Sequence, residues 1–284
     1  MQHRAKKSLG QNFLKGEFAL RKIIEAGEIK KHDVILEIGP GKGVLTGKLL
    51  EKSNSVIAVE KDRELFEFLQ SKFEKEIKTN TLILVCEDIL EFNSNAYGLK
   101  SSAYKIIANI PYNITGAILK KFLTVKNQPE AMVLLVQHEV AQRILARDGK
   151  ESILSISVKA YGEPKMIAKV DKRYFSPAPK VNSAIIKISN ISRKNFYSPL
   201  EEYPLGGGGL NLSTPSRKRA TPQEGNFEER FWEIVKAGFA HKRKKLSSNL
   251  KAVSKNGSLA SVSELGNKRA EDLTLLDWIS LAKS

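Results

Sequence analysis

Apolar residues along this chain follow two alternating rhythms: short, nearly continuous runs, and longer stretches in which they return every three or four positions. The runs Val34–Ile38, Val56–Val59, Thr81–Cys86, Tyr104–Ala108 and Met132–Val136 read as buried strands. Helical spacing follows or precedes each. Glu17–Ala26 turns Phe18, Leu20, Ile23 and Ile24 to one face and stops near Gly27, and Arg63–Phe73 gathers Leu65, Phe66, Phe68, Leu69 and Phe73. Further helices are expected after the glycines at 39–43 through Lys52, over Thr115–Leu123, over Glu139–Ala146 and over Glu151–Ala160, the last despite its β-branched positions. Lys165–Val170 and Ala184–Ile188 read as closing strands. Such alternation predicts an α/β fold with a mostly parallel sheet covered by helices on both faces.

After Ser189 the pattern breaks. Residues 189–226 are polar and contain Gly206-Gly207-Gly208-Gly209 and the basic cluster Arg217-Lys218-Arg219, the composition of a flexible linker. Helical spacing resumes with Phe227, Phe231, Ile234, Val235 and Phe239, continues past His241-Lys242-Arg243-Lys244-Lys245 to Leu246–Leu250, and closes on Leu273, Leu275, Leu276, Trp278, Ile279 and Leu281. The expected organisation is a sheet domain over 1–190, a linker over 191–226 and a small α-helical domain over 227–284.

Several strand ends carry candidate chemistry. Ile38 runs into Gly39-Pro40-Gly41-Lys42-Gly43, three glycines at alternate positions that let backbone approach a ligand and expose the first amides of the next helix. The spacing differs from the Gly-x-Gly-x-x-Gly of dinucleotide folds. Val56–Val59 ends on Glu60, placed to accept bonds from ribose hydroxyls, and Thr81–Cys86 runs into Glu87-Asp88-Ile89. Asp88 suits either a loop cap or the exocyclic amine of an adenine, with Ile89 over the ring face. Asn109-Ile110-Pro111-Tyr112 follows the fourth strand, and Pro111 cannot continue a central strand. The tetrapeptide is either a proline-terminated strand with a buried tyrosine or a grip for a nucleobase amine. Likewise Tyr174-Phe175-Ser176-Pro177-Ala178-Pro179-Lys180-Val181 is a proline-stiffened loop that either tucks Phe175 into the core or presents it to a ligand.

Charge narrows the partner. The 284 residues carry a formal net charge of +16, which favours a polyanion, and nucleic acid over a membrane surface since no strongly amphipathic basic terminal helix is present. The run at His241–Lys245 is a solvated face or a set of phosphate contacts. One cysteine, Cys86, and four scattered histidines argue against disulfide and zinc chemistry. No apolar run is long enough to span a membrane and no signal core follows the basic start, so a cytoplasmic protein is expected.

Taken together, Gln11-Asn12-Phe13-Leu14, Glu37-Ile38-Gly39-Pro40-Gly41-Lys42-Gly43, Glu60, Glu87-Asp88, Asn109-Ile110-Pro111-Tyr112-Asn113-Ile114, the 175–181 loop and Phe239–Leu246 resemble the small-subunit ribosomal RNA adenine dimethyltransferase family, known in bacteria as KsgA. The resemblance runs from Ser8 to about Leu281, broken at the glycine-rich linker. It implies a Rossmann-like class I methyltransferase domain whose sheet ends in a reversed strand, using S-adenosylmethionine, and a carboxyl-terminal helical domain that binds the ribosome. It also implies dimethylation of N6 on two adjacent adenosines near the 3′ end of small-subunit rRNA, on an immature 30S particle, by a monomer without metal. By position, Asn12, Leu14, Gly39, Gly41, Glu60, Asp88 and Asn109 would hold the cofactor, and Asn109, Tyr112 and Phe175 would act on the base. His241 and Lys242 depart from the glutamine and arginine common in relatives.

The chemistry those residues suit is activation of a weakly nucleophilic amine. Two acceptors, the Asn109 side-chain oxygen and the Ile110 or Pro111 carbonyl, would draw the N6 lone pair out of ring conjugation while Tyr112 and Phe175 sandwich an extruded base. Competing expectations are an adenine methyltransferase of large-subunit rRNA, which would share the catalytic motifs, and a non-catalytic assembly factor that keeps the fold. A nicotinamide oxidoreductase fits the glycine spacing poorly.

Overall fold

In the computed structural model residues 5–6, 9–100, 103–196, 223–241, 243–251, 253 and 266–284 are described, with the side chains of 223–226 left aside. Contacts between residues divide the chain into two units, Met1–Gly149 with Leu154–Ser192, and Lys150–Ile153 with Arg193–Ser284.

The first unit is built in chain order from β1 (Phe13–Leu14), α1 (Glu17–Gly27), β2 (Val34–Ile38), α2 (Val44–Lys52), β3 (Ser55–Glu60), α3 (Arg63–Lys72), α4 (Glu74–Lys78), β4 (Leu82–Cys86), β5 (Tyr104–Asn109), α5 (Thr115–Thr124), β6 (Ala131–Gln137), α6 (His138–Leu145), α7 (Ile153–Lys159), β7 (Glu163–Val170), β8 (Phe175–Ser176) and β9 (Ser183–Ser189). Seven strands form one sheet in the order β4-β3-β2-β5-β6-β9-β7. The first five are mutually parallel and β9 runs against both neighbours. The chain order reverses outward from β2, and β2 and β5 lie side by side at that switch point, where open α/β sheets bind ligands at their carboxyl ends.

Strand burial follows from the layered plan. Ile35, Leu36, Ile106, Ile107, Val133 and Leu134 are all inaccessible because parallel strands are covered on both faces, which is why their sequence is continuous rather than alternating. At the amino-terminal edge of β5 Lys105, the one buried lysine among the described residues, donates to Asp33 Oδ2 at 2.8 Å and to the Glu28 carbonyl at 3.1 Å, so its charge is paired.

Helix limits differ modestly from those the periodicity predicts. The expected Arg63–Phe73 helix stops at Lys72, where Phe73 leaves helical geometry and starts the short α4, and the expected Glu151–Ala160 helix contracts to Ile153–Lys159. Asp62 starts α3 by accepting a bond from the Glu64 amide, a side-chain N-cap.

The second unit contains α8 (Gln223–Gly238), α9 (Leu246–Leu250) and α10 (Leu275–Lys283). The helix expected from Phe227 therefore starts earlier, inside the stretch read as linker. The Gly206–Gly209 and Arg217–Arg219 segments lie outside the described residues, and 194–196 form a single 3₁₀ turn. Phe231, Leu246, Leu250 and Trp278 are buried together with Phe239 stacked on Trp278 at 5.5 Å between ring centres. Gly238 makes that stacking possible, since a Cβ there would sit 2.3 Å from the indole. Thr274 and Asp277 close a reciprocal capping box at the start of α10.

Candidate functional site

The carboxyl ends of β2, β3, β4 and β5 open on one cleft enclosing ≈ 930 Å³ measured out to its mouth. Its floor is the turn after β2. Gly39, Gly41 and Gly43 all have positive φ, at 64°, 59° and 69°, a conformation that a side chain disfavours. Gly41 also passes beneath Phe13, whose ring atom would lie 3.0 Å from an added Cβ. Over Gly39 the space is open, the nearest atom to such a Cβ being Pro111 Cδ at 4.0 Å. A ligand can therefore lie against this backbone.

Glu60, at the end of β3, lines the cleft although it is 6% exposed. One carboxylate oxygen accepts from Gly41 N at 3.0 Å and the other from Asp62 N at 2.9 Å. Burial raises its pKa, and these backbone donors oppose that rise. Each oxygen keeps a lone pair for a hydroxyl donor, which suits the two adjacent hydroxyls of a ribose. Asp88 lies at the next strand end, accepting from Lys61 Nζ at 2.7 Å and from Leu90 N at 2.9 Å. The Lys61 bond is the main reason its pKa is lowered. Asp88 thus caps its own loop, and it also borders the cleft beside Ile89 and Leu65.

Across the cleft stands Asn109. Its amide nitrogen donates to the Asn12 carbonyl at 3.1 Å, which turns the side-chain oxygen toward other donors; among the described residues none meets it. The Pro111 carbonyl receives Ile114 N at 3.3 Å in a 3₁₀ turn over Tyr112–Ile114, and among the described residues the Ile110 carbonyl meets no donor. Tyr112 lines the cleft, and its hydroxyl lies 2.6 Å from Ser183 Oγ at the start of reversed strand β9. Burial raises the Tyr112 pKa, so the phenol stays neutral.

Two expected site residues are placed elsewhere. Phe175 is 3% exposed and Leu14 is also buried, and neither lines the cleft. The reason is the antiparallel pair β1–β8, which sets Leu14 opposite Phe175 and Phe13 opposite Ser176. Facing residues share one side, so Leu14 and Phe175 both turn into the core with Leu20 and Ile23, whereas Phe13 turns to the cleft with Lys42 Nζ 5.0 Å from its ring centre. Of the two readings of the proline-rich loop, the tucked phenylalanine is the one observed.

Three contributors escaped the sequence reading. Asp62 and Ser183 look like ordinary loop and strand residues until the chain is folded. Glu37 was read only as part of the glycine motif. It is fully buried in β2, its Oε2 has no hydrogen-bond partner, and the nearby Thr46 hydroxyl falls short of hydrogen-bond geometry with it. Burial pushes its pKa up to about 8, helped by the neighbouring Glu60 and opposed by Thr46 and Lys72. A strand-end polar signal locates the cleft residues; nothing local marks the other three.

The donor set fits a nucleoside ligand with a chain that lies along the turn: paired acceptors for ribose, Asp88 and Ile89 for an adenine, and an open glycine floor. Among the described residues no group of histidine, cysteine, aspartate and glutamate is arranged to hold a metal ion, and no helix is long and apolar enough to cross a membrane.

Comparison with known proteins agrees with this geometry. The family profile described as "Ribosomal RNA adenine dimethylase" matches residues 2–201. A ribosomal RNA small subunit methyltransferase A of Dehalococcoides mccartyi is 35% identical over 98% of this chain and 87% of its own length. The protein of the same name from Fusobacterium nucleatum is 33% identical over 100% of this chain and 98% of its own. Among solved structures, a dimethyladenosine transferase from Plasmodium falciparum superposes with a TM-score of 0.73 at 24% identity, covering 95% of each chain. The 23S rRNA methyltransferase ErmE superposes at 0.69 and 24% identity, covering 96% of this chain and 98% of that one, which extends the shared fold. On the profile match and these identities, the chain belongs to the ribosomal RNA adenine dimethylase family.

Proposed function

We propose that the protein uses S-adenosylmethionine to place two methyl groups on N6 of each of two adjacent adenosines near the 3′ end of small-subunit rRNA. The observation that carries this reading is the position of Asn109, whose anchored amide leaves an acceptor oxygen in the same cleft as Glu60 and Asp88. When bound, the cofactor supplies an electrophilic methyl group on a sulfonium.

The residues of the chain do the rest. Glu60 accepts the ribose hydroxyls, Asp88 the adenine amine, and the Gly39–Gly41 backbone passes beneath the methionine part, with Asn12 on the opposite wall. An adenine N6 is a poor nucleophile because its lone pair is delocalised into the ring. Asn109 Oδ1 and the Ile110 carbonyl accept its two hydrogens and localise that pair, the Pro111 carbonyl being committed to Ile114. The cofactor would supply the methyl group and keep the sulfur as a neutral thioether, while Asn109 Oδ1 and the backbone carbonyl hold the amine through the transfer and one N6 proton passes to water. Acceptor dipoles and the Tyr112 ring favour the positive charge that spreads over the amine, and no strong base is required. The target base has to leave its stack to reach them, and Tyr112 offers the stacking face.

The substrate is an rRNA, in keeping with the +16 charge. We assign phosphate contacts to the helical segment 227–284, including His241 and Arg243–Lys245, and infer that the protein acts in the cytoplasm on the immature small subunit, as a monomer and without metal. The test is to incubate the protein and labelled S-adenosylmethionine with unmethylated small and large subunits and to map dimethyladenosine by mass spectrometry. Paired dimethyladenosines in the small-subunit rRNA are expected. Label confined to the large subunit would overturn the substrate, and no label in either would favour an assembly factor.

A further inference from the structure

Five consecutive residues, Leu9 to Phe13, form one wall of the cleft. This segment has almost no secondary structure of its own, so its position depends on what holds it. At its carboxyl end the backbone is held by Asn109, through the Asn12 carbonyl, and by the β1–β8 pair. Its amino end is held at Asp62, with a further bond from Lys6 Nζ to the exposed Glu64. Lys6 Nζ donates to Asp62 Oδ1 at 2.8 Å, and Gln11 Nε2 donates to Asp62 Oδ2 at 2.9 Å. Lys6 N also donates to Gln11 Oε1 at 2.7 Å, and Leu9 N to the Lys6 carbonyl at 3.2 Å, so Lys6 is tied to Leu9 and Gln11 as well as to the aspartate.

Asp62 is 3% exposed. Burial disfavours its charge, but the bonds from Lys6 and Gln11 outweigh that and lower its pKa, so it is ionised and both bonds are charge-assisted. The same residue donates its backbone amide to Glu60 Oε1 at 2.9 Å, and its side chain caps α3. Asp62 therefore bonds both to Glu60 and to the wall over it.

We propose that Asp62 is the latch of a strap formed by residues 9–13 together with Lys6, and that release of this latch from Lys6 and Gln11 is the step by which spent cofactor leaves and fresh cofactor enters. Gln11 and Glu60 line the same cleft, so a nucleoside whose ribose is held at Glu60 would have the strap beside it. The proposal rests on the methyltransferase reading, in which dimethylating two adenosines takes four transfers and so demands repeated exchange. Asp62 is a positioning residue here and touches neither methyl group nor base.

The test compares the parent with Lys6→Met, Gln11→Ala and Asp62→Asn, the last retaining an oxygen to cap α3. S-adenosylhomocysteine dissociation is followed by stopped-flow competition, and amide exchange of 9–14 is followed in the ligand-free protein. Loss of one charge-assisted bond to a buried carboxylate is expected to speed dissociation about tenfold in Lys6→Met and in Gln11→Ala. Exchange over 9–14 is expected to quicken while the global unfolding midpoint stays put. Glu64→Gln removes the bond from Lys6 to an exposed carboxylate, at 3.0 Å, and is expected to stay within about twofold of the parent. Dissociation within twofold of the parent in both strap variants overturns the latch, as does acceleration that tracks lowered global stability. Because those two variants lie on the strap, the conclusion does not depend on Asp62→Asn folding. A parent that binds no S-adenosylhomocysteine overturns the cofactor reading beneath it, a result distinct from normal binding in unchanged variants.

Discussion

Replacing Glu37 by glutamine isolates the effect of an acid buried under the glycine turn. The side chain is 1% exposed and its pKa is pushed up to about 8 from an ordinary 4.5. Below pH 4.5 both folded and unfolded chains carry the neutral acid. As pH rises the unfolded chain loses this proton and the folded chain keeps it, so folded protein binds more protons and stability falls until pH passes about 8. One proton corresponds to about 1.4 kcal/mol per pH unit, so relative to a side chain that does not titrate the loss reaches about 3 kcal/mol at pH 7 and roughly 5 kcal/mol above pH 8. Glutamine has the shape of the neutral acid, and its extra hydrogen can be offered to the Thr46 hydroxyl. The variant should match the parent within about 1 kcal/mol at pH 5 and then gain on it steadily as pH rises. Both tryptophans, Trp232 and Trp278, lie in the carboxyl-terminal unit, so their fluorescence does not report on β2. Urea unfolding should instead be followed by exchange of the β2 amides, at whole pH values from 5 to 9. A difference that stays flat across that range would refute the reasoning, because it would mean that Glu37 does not change charge there.

Three further outcomes test the site and its frame. Asn109→Ala should leave rRNA binding within about threefold while lowering kcat by at least about a hundredfold, read by filter binding and single-turnover methylation; near-normal turnover would remove Asn109 from amine activation. Tyr112→Phe and Ser183→Ala each delete one end of the same 2.6 Å bond, so each should lower kcat several-fold and the double variant should be no worse than the stronger single one; additive losses would separate the two residues. Gly43→Ala should destabilise the protein by about 2 kcal/mol or more, since φ is 69° and the new methyl would sit 2.5 Å from Phe73 Cε2. Gly47→Ala, inside α2 with nothing within 4 Å, should stabilise it by about 0.5–1 kcal/mol in the same melting experiment.

Much of the frame was legible in the chain because parallel strands declare themselves locally. Val56–Val59 is apolar on both faces and Val34–Ile38 is so except at Glu37, each is followed by a residue that breaks the run, and the cleft is lined by such breaks: Gly39, Glu60, Asp88 and Asn109. What could not be read depends on pairs far apart in sequence. Leu14 and Phe175 face each other across β1 and β8, and only that register decides that both point inward and that Phe13 takes the cleft. Asp62 looks like a helix cap, which it is; its bonds to Lys6 and Gln11 span more than fifty positions. Ser183 begins a strand and shows no polarity pattern, and its value lies in meeting a tyrosine brought in by β5. The split between α3 and α4 was hidden for a different reason: Phe73 and Ile77 continue the helical spacing across the break, so periodicity alone does not register it.

The two-residue pair β1–β8, prolonged by the bond from Lys15 N to the Tyr174 carbonyl at 2.8 Å, works as a yoke between the strap and the proline-rich loop. Gly16 lets the two backbones close up, since a Cβ there would press within 2.8 Å of the Tyr174 ring. The segment carrying Phe175 leads through Asn182 to Ser183 and so to the Tyr112 hydroxyl. On the proposed reading, a strap that swings aside would pull on that segment, the methyl-donor compartment and the base-stacking face would share one mechanical linkage, and a residue at the yoke would alter the grip on RNA without touching RNA.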